Sequence, residues 1–219
     1  MINMGSWNVR SLVKLGKQTL QKPLKERIKV IPKKDKPIIY IIALQINKSS
    51  HKELSKIAYD TVKDLAAREL GLSKDDIKIV RTPFGKPYID NHEGWHFNVT
   101  HTDGLIAIAT FGRPIGIDAE KMKQPDLNIS KRFFTRREHE YITSSKEEMN
   151  KRFFEVWTKK EAYMKCTGEG LHRSLNSFDV FDIESKGMYR HIFFRDYAIT
   201  VCQNSCEEYD VEMQIIKPL

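Results

Sequence analysis

A helix-like segment near residue 160 carries two ionisable side chains of opposite charge. Residues 157–165 read Trp-Thr-Lys-Lys-Glu-Ala-Tyr-Met-Lys, and Gly168 and Gly170 follow, which predicts that the helix ends there. Glu161 and Lys165 are four residues apart, so on a helix their side chains lie one turn above each other. An exposed pair of this kind contributes only about 0.2–0.5 kcal/mol, so the pair alone also fits an ordinary helix surface.

Two further carboxylates lie upstream, at the end of a short apolar segment. Residues 116–120 read Gly-Ile-Asp-Ala-Glu, which is typical of a strand. Residues two apart on a strand point to the same face, so we expect Asp118 and Glu120 to face one spot. A divalent cation with oxygen ligands, Mg2+ above all, relieves their repulsion, and Glu161 would supply a third carboxylate. The alternative for the tripeptide alone is a solvated strand face.

Two shorter segments carry groups that bind phosphate. Residues 97–101 read as a strand that ends in a hydroxyl and an imidazole, Thr100 and His101, and both groups can hydrogen-bond phosphate oxygens. Residues 84–87 read Phe-Gly-Lys-Pro, a turn signal that carries the cation of Lys86. The simpler interpretation is a structural histidine at a strand end and an exposed lysine in a turn.

In chain order, these four segments resemble the 4'-phosphopantetheinyl transferases of the long, surfactin-synthetase-activating (Sfp) type. The resemblance runs from about residue 58 to about residue 182 and includes residues 130–134 and 175–180. It implies transfer of the 4'-phosphopantetheine arm of coenzyme A to a serine of an acyl or peptidyl carrier protein, with Mg2+ as cofactor. It also implies an α+β pseudo-dimer of two similar lobes with coenzyme A between them.

The resemblance implies a role for each matching residue. Asp118, Glu120 and Glu161 match the magnesium ligands of the family. Glu161, or a metal-bound water that it orients, is the implied base, and Lys165 is the candidate proton donor; His101 is also implied in catalysis. The residues implied in binding coenzyme A are Phe84, Gly85, Lys86 and Pro87 at the adenine end and Thr100, His101 and Lys165 at the pyrophosphate.

Two features depart from the family pattern. Ala119 stands between the two carboxylates of the strand, where family members usually carry Ile, Val or Leu. Long-type members also have a basic segment between their first strand and first helix, which helps to hold the 3'-phosphate of coenzyme A. Here the predicted strand 38–46 is followed almost at once by a predicted helix 51–70, so this basic segment is nearly absent.

The charge of the chain is concentrated at its start. The chain has 219 residues and a formal net charge of +8, and the leader 1–37 holds ten Lys or Arg against two acidic residues. From Ile38 onward, 27 basic and 27 acidic residues balance. A basic leader on a neutral body fits an anionic partner, such as coenzyme phosphates, an acidic carrier protein, nucleic acid or an anionic membrane. It equally fits a solvated tail.

The composition gives no sign of secretion or of a membrane span. The leader lacks the unbroken apolar core of a signal peptide, and no stretch approaches about 20 apolar residues. Cys166, Cys202 and Cys206 do not make a disulfide framework, and we expect free thiols in a reducing cytosol. These features predict a cytoplasmic protein without a membrane partner.

The hydrophobic pattern predicts a mixed α+β protein. The predicted long helices are 51–70 and about 147–167, and Thr135 with Glu138 predicts the capping box of a short helix. The predicted strands are 38–46, 77–80, 95–99, 105–111, 115–120, 178–183, 190–195, 197–203 and 211–216. With the implied pseudo-dimer, this gives the leader 1–37, a first α+β lobe 38–112 and a second α+β lobe 113–219, in one monomer.

Two other functions stay open on the residues alone. A metal-dependent phosphoesterase or nuclease also needs Asp118, Glu120 and Glu161, but the sequence has no Gly-rich phosphate loop or paired histidine motif. A non-enzymatic nucleic-acid-binding protein would use the basic leader, where only Trp7 interleaves an aromatic ring with the cations. Nucleic acid is therefore not favoured as a partner.

Overall fold

The computed structural model describes residues 36–43, 50–170, 173–204 and 209–216. Residues 1–35 of the predicted leader, residues 44–46 of the predicted first strand and Cys206 lie outside the described residues. The described residues form a mixed α+β fold, which confirms the α+β part of the predicted fold class. None of their helices is both long enough and apolar enough to cross a membrane.

The helices and strands are numbered here in chain order. The described α-helices are α1 (His51–Leu70), α2 (Leu127–Phe133), α3 (Arg136–Thr143), α4 (Met149–Thr167) and α5 (Val180–Glu184). The described strands are β1 (Ile38–Ala43), β2 (Ile79–Arg81), β3 (Pro87–Ile89), β4 (His96–Thr102), β5 (Leu105–Phe111), β6 (Ile115–Lys121), β7 (Tyr189–Phe194), β8 (Tyr197–Gln203) and β9 (Glu212–Ile216). β2 and β3 pair as a small hairpin.

Two larger sheets pack face to face. The first sheet has the strand order β4-β5-β1-β9, with β9 parallel to β1 and the other pairs antiparallel, and the second has the order β6-β8-β7. Tyr40 of β1 packs in the core shared with α1, whereas Ile39 and Ile41 pack in the core between the two sheets. Because β1 is covered on both faces, its sequence is a continuous apolar run.

Helix α1 begins and ends where its sequence predicts. Ser50 and Glu53 form a capping box, in which Ser50 Oγ accepts from Glu53 N and the Glu53 carboxylate accepts from Ser50 N. Gly71 ends the helix in the left-handed conformation, with a φ of 70°, which glycine adopts without steric cost. Leu54 and Leu65 on its buried side anchor α1 to the first sheet.

Helix α4 packs on the second sheet, and its contact with β6 is very close. A Cβ atom at Gly116 would collide with Ala162 O and with the backbone of Cys166, so only glycine permits this approach. The approach brings the turn of α4 that carries Glu161 and Lys165 beside the carboxylates of β6.

Several regions differ from the sequence-based expectation, among them the short strand β3, which the sequence did not predict. The prediction of a strand at 178–183 is wrong. Asp179 accepts from Phe181 N at 3.0 Å and caps the helix α5 instead. The sequence did not predict α2, which begins after the N-cap Asp126. Strand β9, grouped by sequence with the second lobe, pairs with β1 of the first sheet, with Glu212 opposite Ile38.

Candidate active site

Asp118 lies at the centre of the candidate site. It is 3% exposed, and its Oδ1 accepts hydrogen bonds from Lys165 Nζ at 2.6 Å and from Thr100 Oγ1 at 3.1 Å. Asp118 Oδ2 is buried and, within the described residues, has no hydrogen-bond partner. Side chains from β4, β6 and α4, which are distant in sequence, therefore meet at one carboxylate.

The Glu161 and Lys165 pair belongs to this site and is not an isolated surface pair. Lys165 forms an ion pair with Asp118 across the contact between α4 and β6. Glu161 lines the same cleft, where burial and then the charge of Asp118 raise the pKa of its carboxyl above the usual value. The spacing of four residues thus places a carboxylate and an ammonium group of α4 at one cleft.

Glu120 lines the same cleft from β6, two residues after Asp118. Burial and then the charge of Asp118 raise the pKa of Glu120 to about 7. Thr102 Oγ1 lies 3.5 Å from a Glu120 carboxylate oxygen and donates to it. The folded chain therefore gathers carboxylates that repel one another, as the spacing on the strand predicts.

Alternate side chains of β4 hold β6 in place. Asn98 Oδ1 accepts from Ile117 N at 2.9 Å, and Thr100 Oγ1 donates to Asp118. Because residues two apart share a strand face, Asn98, Thr100 and Thr102 all point towards β6. The polar side chains of β4, whose sequence resembles a phosphate-binding motif, thus also align β6, the strand that carries Asp118 and Glu120.

His101 lies at the edge of the site beside the start of α1. Its Nε2 lies 3.0 Å from Ser55 Oγ, and its ring contacts the ring of His51 edge-on, with centroids 5.2 Å apart. Burial, then the charge of His51, and then that of Lys165 lower the pKa of His101. The lowered pKa favours the neutral ring, in which one nitrogen is a donor and the other an acceptor.

These side chains line an open cleft with a volume of about 420 Å3. The lining residues are Ser55, Tyr59, Val99, Thr100, His101, Asp118, Glu120, Trp157, Glu161 and Lys165. The predicted site residues of β4, β6 and α4 are all among them. The predicted residues Phe84, Gly85, Lys86 and Pro87 are not.

Sequence reasoning missed four lining residues: Ser55, Tyr59, Val99 and Trp157. Ser55 and Tyr59 are four residues apart on α1, and this spacing places them on one face of the helix. Polar side chains on a helix surface usually face solvent, so no local sequence feature marks Ser55 and Tyr59 as site residues. Trp157 is the first residue of the helix motif 157–165, and this position was the signal from which its place in the cleft could have been predicted.

The turn 82–86 presents an exposed ring and directs its lysine inwards. Phe84 is 61% exposed, and Arg81 Nη1 donates to Gly85 O at 2.8 Å. Lys86 Nζ instead donates to Cys166 O at 2.7 Å and to Ile115 O at 3.2 Å. Burial is the main cause that lowers the pKa of Lys86. Binding of coenzyme A by this turn stays a prediction.

Lys160, the neighbour of Glu161, anchors α4 from the opposite side. Its fully buried ammonium lies 2.9 Å from Glu138 Oε2 and donates to Leu175 O at 2.6 Å and to Phe178 O at 2.9 Å. Glu138 also completes the capping box predicted for the short helix α3. One buried ion pair thus joins α3, α4 and the segment before α5.

The acidic part of the cleft fits a divalent cation by the chemistry of its donors. Asp118, Glu120 and Glu161 offer carboxylate oxygens, the ligand type that Mg2+ prefers, and Asp118 Oδ2 is an acceptor without a described partner. In the described parts of the chain, no three His, Cys, Asp or Glu side chains already stand close enough to hold a metal ion. The charge beside Asp118 is that of Lys165.

Comparison with known proteins places this site in a family context. Residues 114–212 match the family model of the 4'-phosphopantetheinyl transferase superfamily. The chain is 37% identical over 120 residues to the 4'-phosphopantetheinyl transferase Sfp of Bacillus subtilis (strain 168), which covers 54% of each protein. It is 32% identical over 151 residues to the 4'-phosphopantetheinyl transferase gsp of Aneurinibacillus migulanus, which covers 62% of each protein.

A third relative is the 4'-phosphopantetheinyl transferase HetI of Nostoc sp. (strain PCC 7120 / SAG 25.82 / UTEX 2576). It is 38% identical over 109 residues, or 47% of this chain and 46% of HetI. The matches span about half of the length of these curated relatives, and somewhat more of gsp.

Fold, cleft and matches together define a mixed α+β protein related to the 4'-phosphopantetheinyl transferase superfamily. The resemblance to its Sfp type, which the four motifs predict, is confirmed. The matched region contains Asp118, Glu120, Glu161 and Lys165.

Proposed function

We propose that this protein is an enzyme that transfers the 4'-phosphopantetheine arm of coenzyme A to a serine of an acyl or peptidyl carrier protein. The carrier would serve fatty acid, polyketide or nonribosomal peptide synthesis. The observation that carries the proposal is the 2.6 Å contact between Lys165 Nζ and Asp118 Oδ1, in a cleft that Glu120 and Glu161 also line. These four residues lie in the region that matches the superfamily.

A pseudo-dimer of two similar α+β lobes, residues 38–112 and 113–219, is part of this proposal, with the last strand of the second lobe, β9, added to the first sheet. Its support is that α1 packs on the first sheet and α4 packs on the second. The cleft, in addition, is lined by α1 and β4 on one side and by β6 and α4 on the other. One chain would then supply both sides of the coenzyme A site, so we expect a monomer. The leader 1–37 is proposed to contact an anionic partner.

The proposed reaction is a phosphoryl transfer. The carrier serine oxygen forms a bond to the phosphorus nearer the pantetheine, and the bond from that phosphorus to the bridging oxygen breaks. The electron pair leaves on adenosine 3',5'-bisphosphate. Glu161 takes the serine proton, and its raised pKa makes it a stronger base than an exposed glutamate. Lys165 stabilises charge on the pyrophosphate oxygens and is the candidate donor of a proton to the leaving group.

The proposed coenzyme A contacts divide between the cleft and the turn. Thr100 and His101 hold the pyrophosphate, because a hydroxyl and a neutral imidazole both donate hydrogen bonds. The turn residues proposed at the adenine end are Phe84, Gly85, Lys86 and Pro87. The exposed ring of Phe84 supports a stacking role for this turn.

Asp118, Glu120 and Glu161 are the residues that would hold Mg2+. When bound, Mg2+ would neutralise these carboxylates and stabilise negative charge on the phosphate oxygens. We place the protein in the cytoplasm, since the described thiols Cys166 and Cys202 are free and buried, which fits a reducing compartment.

Incubation with pantetheine-labelled coenzyme A, Mg2+ and an apo carrier protein tests the proposal. We expect label on the carrier serine, located by mass spectrometry of peptides, and release of adenosine 3',5'-bisphosphate in equal amount. Lys165→Ala should lose this activity, whereas Lys78→Ala, on an exposed residue beside β2, should keep it. Release of inorganic phosphate without labelling of the carrier would favour a phosphoesterase instead, and binding without turnover would favour a non-enzymatic protein.

A further inference from the structure

The side chain of Lys86 connects the turn 82–86 with the end of α4. Its Nζ donates to Cys166 O at 2.7 Å, in the last turn of α4, and to Ile115 O at 3.2 Å, at the start of β6. Both acceptors are backbone carbonyls of elements that carry candidate active-site residues. Lys165, which contacts Asp118, directly precedes Cys166.

A cation at this position stabilises the end of a helix. The last carbonyls of an α-helix lack intrahelical partners and form the negative end of its macrodipole. Because α4 ends at Thr167, no later N–H of the helix reaches Cys166 O, so this carbonyl is satisfied from outside the helix. Lys86 provides that hydrogen bond together with a positive charge. It is therefore a C-terminal cap supplied by a distant part of the chain.

Gly168 makes room for this cap. It adopts a φ of 78°, which favours glycine, and a Cβ atom there would lie 3.1 Å from Lys86 Cδ. The first glycine of the Gly-x-Gly segment thus both ends α4 and lets the lysine stem pass over it.

The turn itself is held rigidly. Thr82 N donates to Lys86 O at 2.9 Å, and Lys86 N donates to Thr82 Oγ1 at 3.1 Å. Arg81 Nη1 binds Gly85 O from the neighbouring strand. Because these bonds fix the backbone of Lys86, its side chain fixes the end of α4 relative to the whole turn.

We propose that Lys86 is a positioning residue that holds Lys165 in register with the turn that receives the adenine of coenzyme A. This inference rests on the proposed function. On this inference, the lysine of the Gly-Lys-Pro segment acts by holding the end of α4 and is not a ligand of the coenzyme phosphates. The adenosine half of coenzyme A then contributes to the rate as well as to binding, because its contact with the turn is transmitted to α4.

The test compares Lys86→Met, Lys86→Arg and the exposed control Lys78→Met with two donors. One donor is coenzyme A, and the other is pantetheine 4'-diphosphate, which lacks the adenosine together with its 3'-phosphate and releases orthophosphate. We expect Lys86→Met to lower kcat with coenzyme A by about tenfold or more, to change kcat with the short donor little, and so to abolish the rate advantage of adenosine. Lys86→Arg, which keeps the charge and the donors, should regain most of that advantage.

Other kinetic results would overturn the inference. An equal loss with both donors would mean that Lys86 only supports the fold. A raised KM for coenzyme A with unchanged kcat would mean that the Lys86 ammonium serves binding of the coenzyme and does not position Lys165. Wild-type kinetics in Lys86→Met would mean that the cap has no role in the reaction.

Amide hydrogen exchange tests the cap without any turnover. Without ligands, peptides that cover residues 163–168 should exchange at least about tenfold faster in Lys86→Met than in wild type or Lys78→Met. Unchanged exchange would contradict the capping role. If exchange rises but the wild-type protein transfers nothing from either donor, the proposed function fails and the cap stands.

Discussion

Lys165 Nζ lies 2.6 Å from Asp118 Oδ1, and the two side chains are 28% and 4% exposed. The pair joins the last turn of α4 to the middle of β6. In a partly buried pair, removal of one partner leaves the other charge without compensation, so each partner is a sensitive point of the site. The pair also keeps an ammonium in the cleft beside Glu120 and Glu161.

Replacement of Asp118 by asparagine should remove this anchor while the protein stays folded. Asparagine has the same shape but no charge, so Lys165 loses its ion pair and the cleft loses one acidic group. We expect the transfer rate to fall about a hundredfold or more, with a cooperative thermal unfolding transition retained in circular dichroism. Asp76→Asn, on an exposed residue, is the control. Wild-type rates in Asp118→Asn at limiting Mg2+ would show that Asp118 has no role in the transfer.

Replacement of Glu120 by glutamine should lower activity and yet stabilise the protein without metal. Burial and the charge of Asp118 disfavour the ionised form of Glu120, so its removal relieves repulsion. After allowance for solvent screening, we expect the free energy of unfolding to rise by about 1–2 kcal/mol in urea titrations with EDTA at pH 8.

Added Mg2+ provides the internal control for this substitution. It should stabilise the wild type more than Glu120→Gln, because a bound ion stabilises only the folded state that holds it. Glu93→Gln, on an exposed residue, should match the wild type in both conditions. A destabilised Glu120→Gln protein would indicate that this carboxylate serves the fold and not a site.

Much of the fold could be predicted because its signals are local. The bounds of α1, β5 and β8 agree with the sequence pattern, since caps and apolar periodicity act over a few residues. The same holds for Asp118 and Glu120, whose shared face follows from the pleat of one strand.

What could not be predicted depends on contacts between distant segments. Lys86 reads as an exposed turn lysine, and only the packing of the turn on α4 shows that its ammonium binds Cys166 O. Strand β9 joins the first sheet through pairing with β1, across most of the chain. The buried partner of Lys160 is likewise on another helix, and no spacing in the sequence connects it with Glu138.

The buried Lys160–Glu138 pair predicts that substitutions of these two residues have strongly non-additive effects on the free energy of unfolding. Both side chains are fully buried, so Lys160→Met alone leaves a buried carboxylate without its cation and should cost about 3–5 kcal/mol. The double variant Lys160→Met with Glu138→Gln should recover a large part of that loss. Urea unfolding of the wild type, both single variants and the double variant measures the coupling. Additive losses would show that the pair does not act as a unit.

Gly116→Ala should separate α4 from β6. The added Cβ meets the backbone of Ala162 and Cys166, and neither backbone segment moves without shifting the helix. We expect a loss of about 3 kcal/mol or more in the free energy of unfolding and loss of transfer activity. Gly94→Ala, at a position with open space, is the matched control and should change neither. A stable, active Gly116→Ala protein would contradict the close packing of α4 on β6.

His191 predicts the direction of the pH dependence of stability. Its Nδ1 lies 2.7 Å from Thr200 Oγ1, its Nε2 is buried without a partner among the described residues, and burial lowers the pKa of His191 to about 4. The unfolded chain, with a histidine pKa of about 6.5, binds more protons between these values. This contribution to stability is therefore present above about pH 6.5 and is lost as the pH falls towards 4.

Between pH 7.5 and pH 5, this histidine should lower the free energy of unfolding by about 2 kcal/mol. His191→Asn keeps a hydrogen-bonding group near Thr200 but cannot take up a proton, so it should lose less stability than the wild type over the same interval by about that amount. Urea unfolding of both proteins at pH 5, 6, 6.5 and 7.5 measures the difference. Parallel pH profiles for the two proteins would show that His191 is protonated as easily in the folded chain as in the unfolded one.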